Sequence, residues 1–498
     1  MKDELKAPDI SCTAPVSSVP PSHLLTHSHT HRPLPSVLRP LPSVLRPLPS
    51  VLRPLSSILR PLSFVLHPSS SVLTAALAFF LCCAPAVARG SRVTIDPDGA
   101  LLINGAAVFP IGFTMPPPPD GRAPDGKNAI QELSDAGATF LRTGAVGGPW
   151  TDATIAKEQQ WEDAAARYGL HCWVFLRELG SLDSTTGERA DRLRRVILKF
   201  KDNPGLGVWK GVDEPQWGKK PIPPLLRAYH LIHTLDGNHP VALTEAPRGT
   251  VETLRPYDAA ADITGADIYP VSYPPGIHSL RPNKEISMVG DYTRLMMQAA
   301  DGKMPVWMIL QIAWSGVTKP GHTLRFPTFP QERFMVYQAI INGARGLFFF
   351  GGSNPRAWTP EDARLGWNWS FWNRVLGPVI NEIGSHSPLY PALLAPDAGL
   401  PLRAAGVNGM AGANAIEWRA RRVGNDLFIL ACKREGPTVH VEFSGLPSDA
   451  GKGDVMFESP RTVTAAAGRF TDWFGPFEVH VYRFHLAPPT EGSHAPAR

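Results

Sequence analysis

From residue 89 onward the sequence predicts an α/β fold, a (β/α)8 TIM barrel followed by a C-terminal antiparallel β-sandwich. Three observations carry that expectation. Eight short apolar runs alternate with amphipathic stretches, the pattern of strand and crossover helix. They occupy about 290 residues, the size and order of an eightfold barrel. Past Gly384 the apolar period shortens to two, which marks strands without intervening helices. An open doubly wound sheet is disfavoured, because no glycine-rich dinucleotide fingerprint follows the first run.

A hairpin in "RVTIDPDGALLINGAAVFP" precedes the barrel. The strand candidates are "IGFTM" (111–115), "TFLRTG" (139–144), "HCWVFLRE" (171–178), "LGVWKGVDE" (206–214), "VALTEAP" (241–247), "ADITGADIYP" (261–270), "PVWMILQIAW" (305–314) and "GLFFFGG" (346–352). Between them, "ATIAKEQQWEDAAARYG", "ERADRLRRVILKF" and "QERFMVYQAIINGA" have helical spacing, and several such stretches close on Gly or Asn, as helix ends prefer. The domains expected are a leader over 1–88, a barrel over 89–387, a sandwich over 388–487 and a tail over 488–498.

The leader has a different physics. Pro33, Pro40, Pro47, Pro54, Pro61 and Pro68 recur every seven positions, and a proline in each heptad removes a backbone donor and excludes a coiled coil. Disordered or polyproline-like chain is the expectation. Next comes "SSSVLTAALAFFLCCAPAVARG", a short apolar core ending in Ala86-Val87-Ala88, the form of a secretory signal rather than a stable membrane span. The leader holds 7 of the 49 basic and 3 of the 44 acidic residues, so the net charge of +5 falls to +1 once it is removed. Nothing then argues for a nucleic-acid partner. Only Cys172 and Cys432 of the five cysteines remain, too few for a disulfide framework.

In a barrel the active site lies at the carboxyl ends of the strands, which nominates Arg142, Glu178, Asp213, Glu214, Glu245, Asp267, Tyr269, Gln311 and Trp314. Five carboxylates crowded at one face raise one another's pKa and can leave an acid protonated at neutral pH. A salt bridge to an arginine is the structural alternative for any one of them.

The "DEP" at 213–215, with "DGALLINGAAVFPIGF" and the sandwich-like "RFTDWFGPFEVHVYRF", resembles the clan A glycoside hydrolases over nearly the whole chain after the leader. The resemblance implies a retaining (β/α)8 glycosidase with Glu214 as general acid/base, Asp213 where Asn is usual, Tyr269 near the nucleophile and Arg142 orienting it. Strand seven departs from the pattern, with Gln311 at the nucleophile's place, and an amide cannot form the glycosyl ester. Three readings follow. Glu332, beginning the next helix, or Glu245 substitutes; or Asp213 and Glu214 act as a pair on a substrate that supplies its own acetamido nucleophile; or the barrel only binds carbohydrate. Glu332 has a structural alternative as a complement to the helix dipole.

Trp150, Trp217, Trp314, Trp358, Trp367 and Trp369 fall near the expected mouth, with Trp217 and Trp314 the candidates for sugar contact. "HSHTH" and "AYHLIH" give no metal-ligand spacing near the acids, so neither metal nor cofactor is expected. "GAVGGP" and "FGGSNP" are turns rather than phosphate loops, since neither opens into a helix with Lys-Ser or Lys-Thr. The expected protein is a secreted or periplasmic glycosidase acting on a carbohydrate; a barrel enzyme of phosphorylated metabolites is the alternative. Intact-mass measurement of the exported protein should place its N-terminus at or near Arg89, and an unprocessed chain from a secreting host would contradict the signal.

Overall fold

The structure, a computed structural model, describes residues 90–487 apart from 146, 314–320, 324 and 353–356. The leader, its signal-like segment, the tail and Trp314 lie outside the described residues. Strands β1 (Val93–Ile95), β2 (Leu101–Ile103) and β3 (Ala106–Val108) form the expected antiparallel hairpin unit. Eight parallel strands follow: β4 (Ile111–Phe113), β5 (Phe140–Gly144), β6 (His171–Phe175), β7 (Leu206–Asp213), β8 (Val241–Thr244), β9 (Thr264–Asp267), β10 (Val306–Gln311) and β11 (Gly346–Phe350). Their order is β8-β7-β6-β5-β4-β11-β10-β9, and parallel bridges from Ala242 to Ile263 and from Glu245 to Ala266 join the two ends into a ring.

The intervening helices are α1 (Ala129–Asp135), α2 (Asp152–Arg167), α3 (Glu188–Phe200), α4 (Ile222–Leu235), α5 (Val251–Leu254), α6 (Met288–Ala300) and α7 (Phe329–Ile341). Local chemistry starts them. The Thr151 side chain accepts from the N–H of Thr154 at the head of α2, and Thr328 and Gln331 make a reciprocal capping box at the head of α7. No helix among the described residues is long and apolar enough to cross a membrane.

Phe140, Trp173, Val208, Trp307 and Phe348 fill the barrel, and Val93, Leu101 and Ile103 of the hairpin join the same cluster. The hairpin meets the chain just ahead of β8 and β10, through the Val93 N–H to Asn238 O and Gly99 against Pro305. It therefore seals the end where the strands begin and leaves the carboxyl end open.

The C-terminal strands β12 (Arg403–Gly406), β13 (Ile416–Val423), β14 (Asp426–Lys433), β15 (Val439–Ser444), β16 (Lys452–Met456), β17 (Arg461–Thr464), β18 (Arg469–Phe474) and β19 (Val479–His485) make two antiparallel sheets, β12-β15-β18 and β13-β14-β19-β16-β17. In β14, Leu427, Ile429 and Ala431 enter the sandwich core, whereas Phe428, Leu430 and Cys432 pack into the barrel's helical layer. Burial on both faces explains the unbroken apolar run "LFILAC". Arg333 of α7 fixes the contact: its Nε meets both Glu382 oxygens at 2.9 and 2.8 Å, and its Nη1 donates to Val479 O at 2.8 Å. Excising the sandwich strips this shared core, so a fragment ending near Ser387 should aggregate or fail to fold; a soluble, fully structured fragment would contradict the packing argument.

Candidate active site

Asp213 and Glu214 both reach the cavity at the carboxyl end of the barrel, although neighbours on a strand ordinarily face opposite ways. Two backbone irregularities make this happen. Against β8, Lys210 pairs with Ala242 and Asp213 with Thr244, three residues advancing against two. That bulge reverses the alternation, so Lys210 and Asp213 share the inward face. Glu214 then adopts φ 44°, in the left-handed region that side chains other than glycine rarely enter. Its N–H holds this turn by donating to Thr244 O at 2.8 Å. Strain of this sort concentrates where a side chain must be aimed.

The cavity holds about 350 Å³. Strand ends supply Arg142, Lys210, Asp213, Thr244, Asp267, Ile309 and Phe350, and the loops supply Thr114, Glu214, Trp217, Ala246, Arg248, Tyr269 and His278. Lys210 is 1% exposed, with Nζ 2.5 Å from Asp213 Oδ1 and over the rings of Trp173 and Phe175 at 5.3 and 4.7 Å. Burial lowers the lysine's pKa from its ordinary value. Burial would raise Asp213, but the charges of Lys210 and Arg142 and the Lys210 hydrogen bond outweigh it and hold Asp213 below the ordinary carboxylate value. Asp213 is thus the fixed anion of the site.

The other two acids move the opposite way. Burial first, and then the negative charge of Asp213, raise Glu214. Asp267 is raised well above its ordinary value by burial and by the charges of Glu214 and Asp213. A hydrogen bond between the two favours the proton on Asp267 and the charge on Glu214. They titrate as a pair, with one proton shared over part of the pH range.

Aromatic rings wall the acids. Tyr269 lies between His278 and Phe350, with centroids 4.4 and 5.0 Å away and planes within 13° and 18° of parallel. His278 is pushed down to about 3 by burial and by Arg248, so its ring is neutral. Its Nδ1 accepts from the Tyr269 N–H at 3.2 Å, which assigns the ring proton to Nε2, 3.8 Å from Asp267 Oδ2. Donor atoms of Glu214, Asp267 and His278 lie within 4.8 Å of one another. With the proton on Nε2, the cluster presents two carboxyls and an N–H, a set that suits a hydroxylated ligand better than a cation.

Of the residues expected at this face, Arg142, Asp213, Glu214, Trp217, Asp267 and Tyr269 line the cavity. Trp314 lies outside the described residues, and Glu178, Glu245, Gln311 and Glu332 do not line the cavity. Strand β6 ends at Phe175, and a 3₁₀ turn over Arg177–Gly180 carries Glu178 into a separate groove, where it accepts from the Trp150 N–H at 2.9 Å. Glu245 is buried behind the wall, on the outward parity beside inward Thr244; it accepts from the Gln216 N–H at 3.1 Å, and burial pushes it up to about 8. Gln311 spends its amide on one backbone, donating to Val271 O and accepting from Val271 N–H, each at 2.8 Å. Ile309 fills the cavity wall on that strand instead. Glu332, expected as a replacement carboxylate, is fully buried in the first turn of α7, with neither oxygen hydrogen-bonded among the described residues. It does not line the cavity, so a substrate bound there does not meet it.

Lys210, Arg248 and His278 were not foreseen. A lysine within "LGVWKGVDE", on the inward parity of Val208, was the available signal for the first; the other two lie on loops, which carry no period.

No protein-family model matches the sequence, and no curated protein matches it. Among solved structures, a glycoside hydrolase is similar at 14% identity and TM-score 0.53, covering 80% of this chain and 97% of its own. A family 5 glycoside hydrolase from Bacteroides vulgatus is similar at 13% identity and TM-score 0.54, covering 80% and 93%. At that identity the likeness is one of fold, and the chain has the (β/α)8 barrel fold of these glycoside hydrolases.

Proposed function

We propose that the protein is a glycoside hydrolase that cleaves O-glycosidic bonds in an oligo- or polysaccharide, with Glu214 delivering the proton to the leaving oxygen. One observation carries this reading: three neighbouring carboxyl groups whose surroundings push them apart, Asp213 toward the ionised form and Glu214 with Asp267 toward the protonated one. Environments that split neighbouring acids in this way assign the proton donor and the anion of a glycosidase.

Glu214 is the more exposed of the protonatable pair and sits between Asp213 and the loop carrying Trp217. From the doubly protonated pair it gives its proton to the glycosidic oxygen, and the proton that remains, on Asp267, is hydrogen-bonded to the Glu214 carboxylate left behind. Asp213, held by Lys210, faces the positive charge that builds at the anomeric carbon. Its ionised state costs no rearrangement during the reaction, which is the advantage of a preorganised charge. With Gln311 tied to the backbone and Glu332 away from the cavity, Asp213 is the ionised carboxylate available at the anomeric carbon; as the protonated leaving oxygen departs, a water's hydroxyl bonds to that carbon and its proton returns to the Glu214–Asp267 pair. Trp217, 52% exposed at the rim, offers an aromatic face, the other lying under Arg248 at 4.1 Å. We place the work outside the cytoplasm, on the strength of the signal-like "SSSVLTAALAFFLCCAPAVARG".

Glu214→Gln should lower turnover on the order of 10²-fold or more for a substrate with a poor leaving group, and far less for an activated aryl glycoside that needs no proton. Because the acid must be protonated, kcat/KM of the parent should fall as pH rises through the raised pKa of the pair, and that basic limb should vanish in Glu214→Gln. Asp213→Asn should cost both substrate types alike. Unchanged cleavage in both variants, across chromogenic glycosides with and without an N-acetyl group, would refute the assignment.

A further inference from the structure

Beside the acid-lined cavity lies a larger one of about 630 Å³, and the two share Thr114 and Arg142. The second is bounded by the glycine-rich turn after β5 and by the first turns of α2, with Lys157 at its edge and Trp161 on its wall. No carboxylate lines it among the described residues. The nearest acid behind the wall, Glu158, is buried, and its oxygens are taken by Thr143 Oγ1 at 2.5 Å and the Gly144 N–H at 2.6 Å.

The charges around this double cleft do not balance. Lys210 is matched by Asp213, and Glu214 and Asp267 hold a hydrogen bond between them. Arg142, Lys157 and Arg248 remain, and none forms an ion pair among the described residues. Arg142 is the telling one. It is 6% exposed, its Nε donates to Thr114 O at 3.1 Å, and neither Nη group makes a hydrogen bond among the described residues. Its guanidinium lines both cavities, so the unused donors are open to a ligand, and its planar fork suits a carboxylate or a sulfate.

We propose that the substrate is an acidic glycan, whose anionic group, a uronate carboxylate or a sulfate ester, binds Arg142 at the junction of the two cavities with Lys157 at the mouth. This rests on the reading of the site as a glycosidase. Arg142 already feels the charge of Asp213 from the acid-lined side, and the substrate's anion would meet it from the carboxylate-free side.

Two variants test this without disturbing the acids. Lys157 is exposed on α2, and a Cβ added at Gly148 meets nothing within 4 Å, so Lys157→Glu and Gly148→Asp should fold. Calorimetric titration in the Glu214→Gln background, where turnover is slow, would compare galacturonate oligosaccharides, sulfated oligosaccharides and neutral cello-oligosaccharides of equal length. An acidic series should bind, more weakly as salt rises, and each variant should weaken it about tenfold while leaving any neutral binding unchanged. Which acidic series binds identifies the group. Neutral ligands binding as well as acidic ones, no binding by either acidic series, or variants that weaken all series alike would overturn the proposal. Binding is read apart from turnover, so a failure of acidic recognition is distinguishable from a failure of the Glu214 assignment.

Discussion

A lysine ammonium inside a barrel has to be matched, and the way Lys210 is matched organises this site. Its Nζ lies 2.5 Å from Asp213 Oδ1, beneath the faces of Trp173 and Phe175. Removing either partner would strand the other in a cavity that solvates charge poorly, a loss of about 3–5 kcal/mol for a buried pair; the half exposure of Asp213 to the cavity argues for less. The β7 bulge is the backbone counterpart of the pair, because plain alternation would have turned Asp213 out of the barrel. With Asp213 fixed as an anion, the next two acids cannot ionise freely, and the rise of Glu214 and Asp267 follows from its charge added to their burial. One ion pair thus divides three acids into an anion and a protonatable couple.

The remaining polar residues of the mouth support that division. Gln311 behaves as a clasp, holding the Val271 backbone in the segment that carries Tyr269 just beyond β9. Glu245 does similar work from behind the wall, gripping the Gln216 N–H and so the turn that follows Glu214. These residues orient the chain that carries the acids, and neither lines the cavity.

Much of the scaffold was legible in the sequence, because strands and helices announce themselves by period. All eight apolar runs contain a barrel strand, and the period-two segments beyond Gly384 supply the two C-terminal sheets apart from the edge strand β12. Within the site, Arg142, Asp213, Glu214, Asp267 and Tyr269 were named from strand-end position alone and line one cavity. The misplacements have separate physical causes. Glu178 was extended onto a strand that stops at Phe175, where Arg177 takes φ 52° and the chain turns away. Glu245 is next to Thr244, whose inward face fixes the glutamate outward, a parity that the sequence contained. Glu332 depended on which face of α7 is buried, and every residue of that helix from Glu332 to Ile341 is buried, so no period marks it. The bulge and the left-handed Glu214 were beyond reach for the same reason: both arise from register between strands.

The central claim is a charge distribution, and carboxyl-labelled NMR reads it directly. In protein carrying ¹³C at the side-chain carboxyls of Asp and Glu, assigned by single substitutions, Asp213 should stay ionised below the pH at which exposed aspartates take up a proton. Glu214 and Asp267 should titrate in two linked steps above the ordinary carboxylate range, and substitution of either should move the other. If Glu214 titrated alone, at the same pH as the surface glutamates and indifferent to Asp267, the site would hold no proton to give, and the account of its chemistry would be wrong.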